Sequence, residues 1–336
     1  MSKKITLKEI AKKCGVSSAT VSFVINNKNR KGISSVTWNK IEKVLSKFGY
    51  KKSKSNRSVK RIIFCFESSS HLATTRFLQG IDNDILEKNE FIFLFNAIKD
   101  NFNNLEKMYN KYHPDGIIIA TGRTRELEFN LSQFTLCNTV LLNCWTNDFK
   151  GISILPSDYQ STKKIIKKLI DLNKKDIAII LPQEFIWQNY ADRMSGWRDA
   201  HFEKGLTINQ SLICRPNTHK KYVSESEIGY DEVKNLINKK VKFDTIFAMN
   251  DMLAMGCYQA ANEKKLDIPK DFSIIGFDNS ITALNLRPSL SSIQLPIAEM
   301  TAKSIQHIFD MLGPPLQKKE GYIDILYKNK QHQSIT

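Results

Sequence analysis

The sequence has no CxxC pair, no HExxH or HxxxH pair, and no apolar run approaching the ~18 residues of a membrane span. Its six cysteines (Cys14, Cys65, Cys137, Cys144, Cys214, Cys257) are scattered, so buried free thiols are expected rather than a disulfide or zinc framework, and no structural metal. The opening MSKKITLKEIAKKCG lacks the apolar stretch of a signal peptide, which predicts a cytoplasmic chain with no membrane partner. Missing too are the P-loop, GxGxxG and GxSxG patterns, so neither catalysis nor a cofactor is expected. Acid is what the first 61 residues lack most. They hold 17 Lys and Arg against Glu9 and Glu42, a charge of +15, while 33 basic and 32 acidic residues leave the remainder at +1. Such segregated charge suits contact with a polyanion, because each neutralised phosphate releases counterions.

The pattern inside the basic stretch is helical. Leu7, Ile10 and Ala11 are apolar at i, i+3 and i+4 ahead of Gly15. Ser17 is placed to N-cap a second helix with apolar Ala19, Val21, Val24 and Ile25. Ser34 or Ser35 can cap a third, with Val36, Ile41, Val44, Leu45 and Phe48 facing inward. Helix, tight Gly turn, helix and a supporting helix make the helix-turn-helix layout, whose second helix enters the major groove. Its outward residues here are Ser17, Ser18, Thr20, Ser22 and Phe23, with Ala19 and Val21 nearer the core.

The run ITLKEIAKKCGVSSATVSFVINN, followed by IEKVLSKFGY, resembles the DNA-binding head of the lactose-repressor (LacI/GalR) family of bacterial transcription regulators. Leu7, Ile10, Ala11, Gly15, Val16, Ser17, Thr20, Val21, Ser22, Asn26 and Tyr50 carry that resemblance. It implies DNA contacts from Thr6, Ser17, Ser18, Ala19, Thr20, Ser22, Phe23 and Asn26. Three departures stand out. Phe23 replaces the family's usual Arg, which would grip a guanine; Phe packs on a thymine methyl or on the protein itself. The loop after the second helix is longer than usual, and its Lys28, Arg30 and Lys31 suit phosphate contact. The linker after Tyr50 is short and lacks the leucine that relatives wedge into the minor groove. Lys52, Lys54 and Arg57 are therefore expected to track phosphates or the minor groove as a basic arm.

From Ile62 onward, short apolar runs alternate with helical patterns in two successive series, which predicts parallel sheets in two lobes with a ligand cleft between them. This part also resembles the family's effector-binding core, related to periplasmic sugar-binding proteins. The resemblance rests on Arg193-x-x-Gly196-Trp197, on the run from Phe247 to Gly256, on Ile274 to Asn279 and on Pro288 to Ile293. The expected fold is a small all-α helix-turn-helix domain followed by an α/β two-lobed periplasmic-binding-protein-like domain. Its segments are residues 1–50 (head), 51–61 (basic linker) and 62–336 (effector binding and dimerisation). Within the last, one lobe takes about 62–156 and 287–312, the other about 157–283 and 313–330.

In the cleft the resemblance implies a fork of donors from Arg193, a carboxylate from Asp278 and an amide from Asn250. Trp145 and Trp187 offer flat faces, and the loop with Ser69 and His71 offers small polar groups. Asp158 and Asp251 are read as helix caps or ligand contacts, and Trp197 as core. The partners expected are a near-palindromic double-stranded DNA operator, a second copy of the chain, and a small-molecule effector. That effector is a sugar or sugar phosphate, with a purine or nucleoside as the alternative.

Overall fold

The structure, a computed structural model, describes residues 6–26, 33–47, 60–67, 77, 80–81, 91–98, 103–128, 138–147, 149, 151–183, 187–216, 223–313, 321–325, 328–330 and 333–335. The chain divides into two compact units, Met1–Ser58 and Val59–Thr336.

In the first unit, α1 (Leu7–Cys14) begins at a reciprocal capping box. The Glu9 amide donates to Thr6 Oγ1 at 3.3 Å, and the Thr6 amide donates to Glu9 Oε2 at 2.7 Å. Gly15 ends the helix at φ 67°, the left-handed region a side chain disfavours, and so turns the chain toward α2 (Ser18–Asn26). Ser17 caps α2 through the Thr20 amide (3.0 Å), and Ser34 caps α3 (Ser35–Lys47) through the Thr37 amide (3.2 Å). Ile10, Ala11, Cys14, Val21, Val24, Trp38 and Ile41 close a small core. Two expectations fail here. Val36 is 76% exposed, because the buried face of α3 runs through Trp38 and Ile41 and leaves the first turn outside. Ala19 is exposed rather than turned to the core.

Among the described residues the second unit holds two six-stranded sheets. The first contains β1 (Lys60–Glu67), β2 (Phe91–Ile98), β3 (Gly116–Glu126), β4 (Asn138–Trp145), β5 (Ile152–Pro156) and β11 (Gly321–Ile325), in the order β11-β5-β4-β3-β1-β2. All its pairings are parallel. Alternation divides β1 between two cores: Ile62 and Phe64 pack with α10 (Ile297–Leu312), whereas Ile63 and Cys65 face Leu105 of α4 (Asn103–Tyr112).

The second sheet contains β6 (Ile177–Ile180), β7 (Ile213–Cys214), β8 (Thr245–Ala248), β9 (Ser273–Asp278), β10 (Ser291–Gln294) and β12 (Lys328–Lys330), in the order β12-β10-β9-β8-β6-β7. It is parallel except for β12 against β10. The helices of this lobe are α5 (Asp158–Asp171), α6 (Gln188–Glu203), α7 (Glu225–Asn238), α8 (Asp251–Glu263) and the short α9 (Ile281–Asn285). Gly229 and Gly256 let α7 and α8 touch backbone to backbone; a Cβ on Gly256 would meet the Ser226 carbonyl. Both sheets share the order 2-1-3-4-5 in their parallel part, which opens a crevice at the carboxyl ends beside the first strand of each.

The lobe boundaries differ from those expected. Residues 287–294 belong with the second sheet, because Ser291–Gln294 pairs with β9, so the chain returns to the first lobe only after Gln294. Residues 321–325 pair with β5 in the first sheet, whereas residues 328–330 pair with β10 in the second. Sheet pairing at an edge is a long-range choice that local patterning does not specify.

Candidate nucleic-acid interface and effector site

The head offers α2 as a reading helix. Ser17, Ser18 and Ala19 are exposed at its start, and Phe23 is 39% exposed one turn later; Thr20 and Ser22 are half-buried. Ser18, Ala19, Ser22 and Phe23 fall at i, i+1, i+4 and i+5, a single stripe opposite buried Val21 and Val24. The Ser17 and Thr20 hydroxyls lie 2.8 Å apart, so both are already oriented by capping. The Thr6 hydroxyl is likewise engaged, donating to Glu9 at 2.9 Å. The side chain of Asn26, together with Lys28, Arg30, Lys31, Lys52, Lys54, Arg57 and most of the linker, lies outside the described residues.

In the second unit the carboxyl ends of β6, β8 and β9 and the start of α6 bring charged groups together. Arg193 of α6 is 3% exposed. Its Nε donates to Asp158 Oδ1 at 2.6 Å, Nη1 donates to the Met249 carbonyl, and Nη2 stands 3.6 Å from Asp278 Oδ1. The guanidinium lies 3.4 Å over the Phe277 ring. Much of its hydrogen-bonding fork is therefore turned to the protein, and Asp158, read as a cap, is its buried partner. The accessible carboxylate is that of Asp278, whose side chain is 33% exposed. Asp278 and Asn279 have φ of 98° and 48°, two consecutive non-glycine residues in the left-handed region, a costly backbone that persists where surroundings fix it.

Asp251 does that fixing. It accepts from the Ser280 amide (2.6 Å), the Ser280 hydroxyl (2.8 Å) and the Ser292 hydroxyl (2.6 Å). Burial and the Asp278 charge push its carboxyl up to about 7. It was expected to cap the helix from Met252; instead α8 starts at Asp251, and Asn250 caps it through the Leu253 amide at 2.8 Å. Asn250 thus spends its carbonyl on the helix and turns its amide toward the Tyr190 hydroxyl at 3.4 Å. Burial, then Glu225, raise Tyr190 to about 12, and burial pushes Glu225 up against the pull of Asn250 and Arg123. Trp197 is fully buried core.

From the first lobe, Arg123 and Arg125 of β3 stand 5.3 and 5.9 Å from the ring centre of Trp187, the residue capping α6. Trp145 ends β4, half-buried, beside Glu126 in the sheet register. The structure thus gathers Trp187, Arg193, Asn250 and Asp278; Ser69 and His71 lie outside the described residues. Tyr190, Glu225, Arg123 and Arg125 were missed. The two arginines had a signal, since TGRTRE directly follows the apolar run ending at Ala120, at the ligand end of a parallel strand. Nothing local links Glu225 to Asn250. Among the described residues no His, Cys, Asp and Glu group could hold a metal, five cysteines are buried free thiols, and no helix is long and apolar enough to cross a membrane.

Two family models match the chain. Residues 6–53 match the bacterial regulatory proteins of the lacI family, and residues 166–325 match a periplasmic binding protein-like domain. The chain thus joins a lacI-family DNA-binding region to a periplasmic binding protein-like domain. Among its lacI-family relatives, the HTH-type transcriptional repressor PurR of Pasteurella multocida is 27% identical over 94% of both chains. The ribose operon repressor of Haemophilus influenzae is 25% identical over 92% of both. A crystal structure of the lac repressor dimer bound to operator and an anti-inducer covers 99% of both chains at 17% identity and a TM-score of 0.61, a likeness of fold. These lacI-family relatives are regulators of transcription rather than enzymes.

Proposed function

We propose that this chain is a sequence-specific DNA-binding repressor, acting as a homodimer on a near-palindromic operator and released or tightened by a small molecule between the lobes. The stripe of exposed Ser18, Ala19 and Phe23 with half-buried Ser22 on the second helix of a +15 head is the observation that carries this reading. Two heads related by a twofold axis read two half-sites, and a change in lobe angle alters their spacing. Control requires that the effector bind the two arrangements with different affinity.

For the effector, a hydroxylated ligand suits the exposed Asp278 carboxylate, with Trp187 as a flat wall and Arg193 orienting Asp278 from behind. A sugar or sugar phosphate controlling carbohydrate genes is the first reading, supported by the ribose operon repressor among the relatives. A purine or nucleoside stacked on Trp187 is the second. The test is a gel shift with DNA upstream of the gene across a salt series, followed by a stability screen against sugars, sugar phosphates and purines. A discrete band that outlasts competitor DNA supports the reading; equal binding to every duplex overturns it.

A further inference from the structure

The turn that presents Asp278 lies beside the chain's passage between lobes. β10 ends at Gln294, which pairs in register with Asp278, and the next residue, Leu295, already packs on the core of the first lobe. Two residues before that end, Ser292 bonds in two directions. Its hydroxyl accepts from the Asn279 amide at 2.9 Å and donates to Asp251 Oδ1 at 2.6 Å. Asp251 Oδ2 in turn accepts from the Ser280 amide at 2.6 Å and the Ser280 hydroxyl at 2.8 Å. Both amides that follow Asp278 are thus held by one buried pair, Asp251 and Ser292. Gly276 makes room for it, since a Cβ there would collide with Asp251 Oδ1.

Such a clamp matters because the turn would otherwise relax. Asp278 and Asn279 hold φ of 98° and 48°, a backbone that non-glycine residues keep only under constraint. The turn is therefore an element with two arrangements, clamped and released. Asp278 stands at its cleft end, with its carboxylate 3.6 Å from Arg193 Nη2. A ligand hydroxyl that draws on that carboxylate draws on the adjoining Asn279 amide, and through the Ser292 hydroxyl on β10. Close packing passes a shift at Ser292 along the strand to Leu295, three residues on and in the other lobe.

We propose that Asp251 and Ser292 are positioning residues that couple the effector-facing carboxylate of Asp278 to the lobe crossover at Gln294 and Leu295, so that occupancy of the turn biases the angle between the lobes. This rests on the effector-controlled reading above and names the element through which that control passes. Because coupling is reciprocal, releasing the clamp shifts the lobes even with no effector bound.

The test compares full-chain variants by amide hydrogen exchange and by affinity for the DNA upstream of the gene, with no effector added. Ser292→Ala removes the centre of the clamp, Ser280→Ala removes one of its bonds, and Ser292→Thr keeps the hydroxyl. Ser334→Ala is the control. Its hydroxyl is equally buried and bonds the Ser291 amide and the Ile274 carbonyl, close to the clamp but off the turn. The expected result is that S292A, and more weakly S280A, speeds exchange in residues 278–285 and in residues 295–304 of the first lobe. S292A should also shift operator affinity by about fivefold or more. S292T should restore both readouts, and S334A should lower the denaturation midpoint without moving either. Faster exchange in the turn alone, with 295–304 and operator affinity at their wild-type values, overturns the coupling and leaves effector control standing. So does an equal response from S334A, which would make Ser292 merely structural. If S292A fails to fold, S280A decides by the same two readouts. Wild type that grips every duplex equally overturns the function proposed above, and exchange in 295–304 then still decides the clamp.

Discussion

The basic head and the balanced body satisfy their polar groups in opposite ways. In the head, the described polar side chains that matter are short hydroxyls at helix ends, each satisfied within three residues: Thr6 with Glu9, Ser17 with Thr20, Ser34 with Thr37. In the body, the deciding polar contacts span large sequence separations: Asp158 with Arg193, Asp251 with Ser280 and Ser292, Thr121 with Asn143. A surface that reads DNA needs its side chains free at the tip, so local capping orients the helices without using distant groups. A small-molecule site needs charges held out of water, and only groups from several strands can supply that many partners.

The sharpest way to break this contrast is at the buried pair. Arg193→Ala strands Asp158, 1% exposed, without its ion partner, and is expected to destabilise the body by about 3–5 kcal/mol. Asp158→Ala in addition should recover part of that loss, read as a chemical-denaturation midpoint in each variant. A loss below about 1 kcal/mol would mean that Asp158 is not dependent on Arg193. Next comes Ile41→Ala, which empties a fully buried position in the seven-residue core of the head at a cost of about 2–5 kcal/mol. Calorimetry should show specific DNA binding lost while the melting of the body is unchanged; a lowered body transition would contradict the independence of the two cores.

A smaller effect is expected at Phe23. Its replacement by Ala should weaken specific operator binding by about 1–3 kcal/mol while the salt slope stays the same, because an apolar base contact is lost and no phosphate contact. An altered salt slope would assign Phe23 some other role. The smallest effect is in pH. Asp251 holds its proton to about 7 in the folded chain, against 3.8 unfolded, so between those values the native state binds more protons. Its contribution to stability is therefore greatest below about 4, declines as pH rises to about 7, and is flat beyond. Glu225 and Glu232, also raised by burial, act in the same direction. Asp251→Asn should flatten the decline of the body's melting temperature across that window; an unchanged slope would place the proton elsewhere.

Legibility followed the range of the interactions. The three head helices, the capping role of Ser17 and a cap at Ser34 or Ser35 could be read because each signal lies within four residues of its target; the structure selects Ser34. Val36 was misplaced because a thirteen-residue helix with apolar residues on more than one side offers two faces, and packing against α1 and α2 chose the one through Trp38. Ser291–Gln294 was placed in the wrong lobe for the same reason: its four residues suit either sheet, and the pairing with β9 decided. Arg193, Asn250 and Asp278 were singled out through family motifs, and the structure brings them near one another. Their division of labour, with Arg193 turned inward and Asn250 capping a helix, was not legible.

The sequence alone determined that a +15 helical reader precedes an α/β ligand-binding body, since charge distribution and hydrophobic period are properties of neighbours along the chain. Tertiary structure alone decided where the chain passes between lobes, which carboxylate stays accessible, and that two arginines meet an indole from the opposite lobe. Those outcomes depend on contacts between residues far apart in sequence. Desolvation and sheet pairing weigh all competing partners at once there, and no local pattern records the result.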